Sequence, residues 1–287
     1  MRLPAQLLQR RPAAHKGELG HILILAGCLQ YSGAAVLSSA AAMRSGAGLV
    51  TLGIPKGICA ALIKRKYPEV MVLPLEETPR ASLSIKAYSQ IKDFLNNIDV
   101  LIIGPGLSRD KSTQALVRRI VFNLRDKPVV IDADGLNALA GHLKIKNKKL
   151  KIKNAVVTPH PGEMARLLGM SVRSIQLNRK EFAKKFAKAC EVTVVLKGNN
   201  TVVADYQGKI YINKTGNPGM ASAGSGDVLT GIIAAFLAQG LSCFNAAKYA
   251  VYLHGLAGDL AAGSKTQLGM IATDIIDKIP QAIKKCS

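Results

Sequence analysis

Asn217-Pro218-Gly219-Met220-Ala221-Ser222-Ala223-Gly224-Ser225-Gly226-Asp227 runs without a break into Val228-Leu229-Thr230-Gly231-Ile232-Ile233-Ala234-Ala235-Phe236-Leu237-Ala238. A glycine-rich loop therefore meets the start of an apolar helix, expected over 227–239. Glycines let the backbone turn its N–H groups inward, and a helix N-terminus adds unpaired donors and a partial positive charge, so the junction makes a seat for phosphate. Asp227 sits in that seat, and two readings of it stand side by side. Beside a bound phosphate its carboxylate takes the proton of an attacking hydroxyl, as a general base. Otherwise it caps the helix and meets the helix dipole.

Outward from this loop the chain alternates short apolar runs with helical segments. His21-Ile22-Leu23-Ile24-Leu25-Ala26-Gly27 reads as a buried strand ending in glycine, Ala34 to Ser45 as a small-residue helix, and Leu49-Val50-Thr51-Leu52-Gly53-Ile54-Pro55 as a second strand. Strand, helix, strand implies parallel pairing through a right-handed crossover. Helices over 58–66, 84–95 and 112–124, with strands over 70–74, 99–103 and 128–132, continue the alternation. The run 99–103 exits into Gly104-Pro105-Gly106-Leu107, and open α/β sheets bind ligands beyond such carboxyl ends. Asp132 and Asp134 steer a metal or substrate, or cap the next helix, which is the preferred reading of Asp134.

Beyond the lysine run 144–153, Ala155 to Thr158 reads as a strand, and Pro159-His160-Pro161-Gly162-Glu163 opens a helix through Leu168. His160 and Glu163 thus lie at a strand's carboxyl end, where Glu163 holds a magnesium-bound water or supplies a first-turn charge. A helix over 174–190 precedes a strand over 192–197 and the turn Gly198-Asn199-Asn200. Segments 201–205 and 209–213 flank Tyr206-Gln207-Gly208 as a hairpin, which gives the sheet an antiparallel edge. Helices over 227–239, 244–262 and 273–285 complete the pattern, and neither linker nor repeat interrupts it. Residues 1–287 are expected to form one α/β domain, a three-layer sandwich with helices on both faces of a mostly parallel sheet.

With 287 residues, 48% of them hydrophobic, the chain is long enough to bury a sizeable core. The 39 basic and 18 acidic residues give a net charge of +21, which suits nucleic acid or small anionic ligands. The first is disfavoured: Trp is absent, aromatics make up 5%, and basic and aromatic residues do not interleave. The densest run, Lys144 to Lys153, reads as a solvated connection. Cys28, Cys59, Cys190, Cys243 and Cys286 are scattered without a C-x-x-C pair, so neither a zinc site nor a disulfide framework is indicated, and a reducing, cytoplasmic location is expected. The N-terminus lacks a sustained apolar export segment, and no run is long enough to span a bilayer.

Taken in order, His15-Lys16-Gly17 with Gly20, Gly33-Ala34, Gly46-Ala47-Gly48-Leu49-Val50, Gly104-Pro105-Gly106-Leu107, Asp132-Ala133-Asp134, Thr158-Pro159-His160-Pro161-Gly162-Glu163, Leu196-Lys197-Gly198 and the opening stretch resemble the ADP/ATP-dependent NAD(P)H-hydrate dehydratases of the ribokinase-like superfamily. The resemblance covers nearly the whole chain, and because residue 15 already lies in the pattern, the epimerase domain often fused to such proteins is expected to be absent. It implies repair of hydrated NADH and NADPH: the 6-hydroxyl of the reduced nicotinamide is phosphorylated by ATP or ADP, and phosphate then leaves. Asp227 matches the catalytic acidic residue. Ala35, Gly106 and His160 match contacts to the hydrated dinucleotide, and Lys197, Gly198, Asn199, Asn200 and Thr201 with Gly226 match the AMP-moiety site. Glu163 resembles the acidic position linked to Mg2+, and a homotetramer is implied, with a functional link to a separate epimerase. Two departures are visible: Ser108 follows Gly-Pro-Gly-Leu where a further Gly is usual, and Cys28 stands where the first loop often carries Ser.

Hydroxide is a poor leaving group, whereas phosphate departs readily once the ring nitrogen pushes in electrons. Amide donors between Ala223 and Asp227, with Gly224, Ser225 and Gly226 as the anion hole, are expected to stabilise charge growing on the phosphoryl group. An ATP-dependent kinase of a small hydroxymethyl or sugar-like substrate shares the fold and the Gly-x-Gly-Asp phrase. The Thr-Pro-His-Pro-Gly-Glu and Asn-Pro-Gly-Met-Ala phrases favour the dehydratase. A basic nucleic-acid-binding protein is the remaining alternative, betrayed by steep salt dependence without nucleotide turnover.

Overall fold

Ile22, Leu23, Ile24 and Leu25 are all fully buried, which a strand achieves only when both of its faces are covered. The computed structural model describes residues 1–142 and 154–287, so the lysine run 144–153 lies outside the described residues. Nine strands form one sheet: β1 (His21–Leu25), β2 (Leu49–Pro55), β3 (Met71–Leu75), β4 (Val100–Ile103), β5 (Val129–Ile131), β6 (Ala155–Val157), β7 (Thr193–Leu196), β8 (Val202–Ala204) and β9 (Ile210–Ile212). Their spatial order is β3-β2-β1-β4-β5-β6-β7-β8-β9. The first seven run parallel, while β8 and β9 form the expected antiparallel edge, with Val194 opposite Ala204 and Ala204 opposite Ile210.

The described helices are α1 (Ala5–Leu8), α2 (Ser32–Arg44), α3 (Cys59–Ile63), α4 (Tyr88–Phe94), α5 (Lys111–Asn123), α6 (Asp134–Leu139), α7 (Pro161–Leu168), α8 (Val172–Leu177), α9 (Arg179–Cys190), α10 (Ser225–Ala238), α11 (Cys243–Gly269) and α12 (Ala272–Lys285). Alternate strand residues feed opposite cores. Ile22, Ile24, Ile102, Val130 and Val156 pack beneath α2, α10, α11 and α12. Leu23, Leu25, Leu101, Ile131 and Val157 pack beneath α4 to α9. Each large apolar side chain buried this way contributes about 1.5–3 kcal/mol.

Helix α10 is apolar on every side because it is sandwiched between the sheet and other helices, with Val228 through Leu237 all buried. It crosses α2 at backbone distance, since a Cβ on Gly231 would overlap the Ser38 carbonyl oxygen. Several expected helices have different bounds: 58–66 narrows to Cys59–Ile63 and 84–95 to Tyr88–Phe94, and three others differ more instructively. The segment 174–190 is broken at Asn178, whose φ of −133° and ψ of 39° end α8 before α9 begins. The segment 244–262 extends to Gly269 across a non-helical Thr266 at φ 65°. The signature helix starts at Ser225, two residues before the expected start at 227, so Gly226 and Asp227 belong to its first turn. Among the described residues no helix is long and apolar enough to cross a membrane.

Candidate active site

The seat is made by Gly224, which takes a left-handed φ of 86° as the residue before α10. A side chain there would overlap Leu37 Cδ1 and approach Ala272 Cβ to 3.2 Å, so glycine is required on grounds of both conformation and space. No side chain caps the helix. The N–H groups of Ala223, Gly224, Gly226 and Asp227 find no acceptor among the described residues, whereas Ser225 N donates to Ser222 O at 3.4 Å. Of the three residues expected to hold an anion, Gly224 and Gly226 thus present free donors, and Ser225 is turned inward. Its hydroxyl lies 3.3 Å from His254 Nε2, and burial pushes the His254 imidazole down to about 4, which keeps it neutral.

Asp227 is the third residue of α10, and its carboxylate has no hydrogen-bond or ion-pair partner among the described residues. Burial, reinforced by the charge of Asp132 and partly opposed by Lys197, pushes the carboxyl up to about 7. A base with that proton affinity is half ionised near neutrality, where proton transfer is most efficient. The residue therefore does not cap the helix by hydrogen bonding, although its charge favours the helix N-terminus.

Lys197 closes β7 and reaches Asp132 at the end of β5, Nζ to Oδ1 2.7 Å, with Glu163 Oε2 at 4.0 Å. Asp132 is 1% exposed, and its other oxygen accepts the Thr230 hydroxyl at 2.9 Å. Although burial alone lowers the lysine's proton affinity, Asp132, Glu163 and Asp227 outweigh it, so its pKa lies above the usual value. The Cβ position of Gly226 is 3.3 Å from Lys197 Nζ, which places the ammonium directly under the first turn of α10. Lys197 is thus a half-buried, paired cation, not an open surface one. The following loop bends through Gly198 at φ 137° and Asn200 at φ 54°, and Thr201 Oγ1 donates to Gly198 O at 2.9 Å. Arg179 clamps this loop by donating to Leu196 O at 2.8 Å and to Asn199 O. Nothing in the local sequence marks that arginine.

His160 precedes α7, and its Nδ1 accepts Gly162 N at 3.0 Å and Glu163 N at 3.4 Å. Glu163 Oε2 in return accepts His160 N at 2.8 Å, a reciprocal capping box. Two amides on Nδ1 leave the ring proton on Nε2, 3.5 Å from Glu163 Oε1. Burial, with Lys197 and Arg166 nearby, lowers the imidazole's proton affinity. Burial raises that of Glu163, partly opposed by Lys197. Among the described residues no group of three or more His, Cys, Asp or Glu side chains is placed to hold a metal. Both Asp132 oxygens are taken by Lys197 and Thr230, so of these two carboxylates Glu163 is the one that would reach, through water, a magnesium ion carried mainly by nucleotide phosphates.

The other half of the cleft lies beyond β1 and β4. Gly27 N donates to Pro105 O at 2.8 Å, and the Cβ position of Gly27 is 3.3 Å from Ala35 Cβ. Gly106, at φ 62°, would bring any Cβ within 2.6 Å of Tyr31 O and 3.0 Å of Ala34 Cβ. Ala35, fully buried against Gly27, and Gly106, against Tyr31 and Ala34, therefore meet at the start of α2, while His160 stands beyond β6, across β5. Ser108, in place of the usual glycine, adopts φ 74°. The expected capping role of Asp134 is corrected: Ala133, at φ 47° and ψ −116°, takes the cap position, and Asp134 Oδ2 instead accepts Ser108 N at 2.9 Å.

A mostly parallel sheet whose carboxyl ends open on glycine turns, with a half-buried lysine and a carboxylate at a helix N-terminus, places the chain in the ribokinase-like class of α/β proteins. Residues 22–281 match the model of the NAD(P)H-hydrate dehydratase family, and the chain belongs to that family. It is 45% identical over 280 residues to the bifunctional NAD(P)H-hydrate repair enzyme of Moorella thermoacetica, covering 98% of this chain and 52% of that protein. It is 36% identical over 276 residues to the ADP-dependent (S)-NAD(P)H-hydrate dehydratase of Neisseria meningitidis serogroup B, covering 96% and 88%. The ADP/ATP-dependent NAD(P)H-hydrate dehydratase of Bacillus subtilis, co-crystallised with ATP and Mg2+, superposes with a TM-score of 0.83 at 30% identity, covering 100% and 95%. The chain spans about half the length of the first curated relatives it matches.

Proposed function

We propose that this protein dehydrates (6S)-hydrated NADH and NADPH at the expense of ADP or ATP. The observation that carries the reading is Asp227, an unpartnered carboxylate with a pKa near 7 in a turn of free N–H donors. Asp227 takes the proton of the ring 6-hydroxyl as the hydroxyl oxygen bonds to the terminal phosphorus of the nucleotide and the bridging P–O bond breaks, releasing ADP from ATP or AMP from ADP. Charge on the transferred group is met by the N–H groups of Ala223, Gly224, Gly226 and Asp227, each well-placed donor of this kind being worth about 10²–10³ in rate. Lys197, fixed by Asp132, supplies positive charge beside that turn, and the loop from Gly198 to Thr201 receives the AMP moiety. Ala35, Gly106 and His160 seat the dinucleotide. The ring nitrogen then pushes out phosphate, and loss of a proton from the neighbouring carbon restores the reduced nicotinamide.

Glu163 would hold a magnesium ion through water, and that ion would supply charge neutralisation to the nucleotide phosphates. The reading extends to a cytoplasmic homotetramer, checked by light scattering, and to a functional link with a separate epimerase, which the bifunctional relatives support. Hydrated NADH incubated with the protein, magnesium and either ADP or ATP should regain the absorbance of reduced nicotinamide, and only with nucleotide present. Accumulation of a stable phosphorylated product, or no recovery with either nucleotide, would overturn the proposal.

A further inference from the structure

The turn after β5 carries a backbone anomaly that the reaction described above does not use. Ala133 combines φ 47° with ψ −116°, a combination unfavourable for any residue with a Cβ. The surroundings hold it there: a Cβ on Gly104 would overlap Asp132 O, and Gly135 N donates to Asp132 O at 2.9 Å. The consequence is that two neighbouring carboxylates face opposite halves of the cleft. Asp132 points under α10, accepting Lys197 Nζ at 2.7 Å and Thr230 Oγ1 at 2.9 Å. Asp134 points to the loop after β4, accepting Ser108 N at 2.9 Å and Asn137 Nδ2 at 3.0 Å, with Arg109 Nε at 3.9 Å. Asn137 Oδ1 in turn accepts Arg166 of α7, the helix that His160 opens.

We propose that Asp132-Ala133-Asp134 is a positioning element with separable arms: Asp132 sets the nucleotide half by fixing Lys197 beneath Gly226, and Asp134 sets the dinucleotide half by fixing Ser108 and thereby the Gly106 turn. This deepens the dehydratase reading and rests on it for the assignment of the two halves. Neither carboxylate touches a reacting atom. Asp132 is 1% exposed and both of its oxygens are occupied by protein donors, so a direct ligand role is already spent. Ser108 shows why the second arm is needed. A non-glycine residue at φ 74° is held by the bond from its own N–H to Asp134, without which the turn relaxes away from Tyr31.

The test is a split of the two Michaelis constants, supplemented by calorimetric titration of ADP and ATP that does not depend on turnover. Asp134→Ala should raise KM for hydrated NADH about tenfold, roughly the loss of one hydrogen bond to a charged group, and leave nucleotide Kd within about twofold. Asp134→Asn, which keeps an acceptor for Ser108 N, should recover most of that loss. Thr230→Val, which removes one donor from Asp132 at nearly constant volume, should weaken nucleotide binding about threefold to tenfold and leave the dinucleotide KM unchanged. It also avoids the folding risk of removing a buried carboxylate. Equal movement of both constants in either variant, or a change in Tm with neither constant altered, would overturn the proposal. If the wild-type protein fails to regenerate reduced nicotinamide, the functional reading falls. The nucleotide arm is still decided by calorimetry on Thr230→Val, where unchanged Kd would overturn it.

Discussion

Beyond β5, β6 and β7 the cleft floor is ionic, with Lys197 seated 2.7 Å from Asp132 and 4.0 Å from Glu163, whereas beyond β1 and β4 it is bare backbone, with Gly106 against the Tyr31 carbonyl and Gly27 against Ala35. The ionic half selects by charge and, through Asp132 and Lys197 acting in opposite senses, trims the proton affinity that burial gives Asp227. The bare half selects by the space that absent side chains leave. A substitution in the first should therefore alter chemistry or folding, and one in the second should alter fit.

Asp227→Asn attacks the ionic half most directly. It keeps shape and removes the base, so turnover should fall about 10²–10⁴-fold with nucleotide affinity little changed. Near-normal turnover would reduce Asp227 to a first-turn charge. Next in size is Lys197→Met, which strands the buried Asp132 carboxylate and should cost about 3–5 kcal/mol of stability in urea unfolding at pH 7. No loss of stability would show that the pair is not structural. Because Asp227 titrates at about 7, kcat/KM should rise through that pH and level above it, falling about tenfold per unit below. The linked stability has the opposite sense. A raised carboxyl favours the fold while protonated, so this contribution is full below the ordinary carboxylate range and lost as pH climbs through about 7. Asp227→Asn should flatten both profiles.

In the bare half, Gly106→Ala puts a methyl 2.6 Å from Tyr31 O at φ 62° and should cost about 1–3 kcal/mol, with the dinucleotide KM rising and the nucleotide KM unmoved. If both constants rise together, the two halves are not independent. The smallest expected effect is Ser108→Gly, which relieves φ 74° and should stabilise the fold by about 0.5–1 kcal/mol in thermal unfolding. Destabilisation would mean that the Ser108 side chain carries contacts worth more than the strain.

The sheet was legible because runs such as Ile22-Leu23-Ile24-Leu25 leave no polar face, and the hairpin because Tyr206-Gln207-Gly208 separates two short apolar runs. Helix starts were less so. The apolar pattern of α10 begins at Val228, but its first turn is polar and opens at Ser225, where Gly224 can adopt the left-handed conformation. Nothing in the run around Asn178 announces a break, since tertiary packing decides it. In the cleft, the residues of the Gly-x-Gly-Asp phrase could be placed because local backbone physics dictates their role. The partners of Lys197 could not, because Asp132 is 65 positions away and an ion pair leaves no periodic trace. Asp134 read as a cap because an acidic residue before an apolar run usually is one. Here Ala133 took that position, and the freed carboxylate turned to Ser108. Arg179 carried no signal at all, being one basic residue among 39.

Expulsion of the hydroxyl as phosphate at the expense of nucleotide fixes the stoichiometry of the reaction. It is tested most directly by counting products in one reaction containing hydrated NADH, magnesium and limiting ADP. Equimolar AMP, phosphate and NADH, all abolished together in Asp227→Asn, is the predicted result. Consumption of ADP with the phosphoryl group retained on an organic product, or NADH formed without nucleotide consumption, would contradict it.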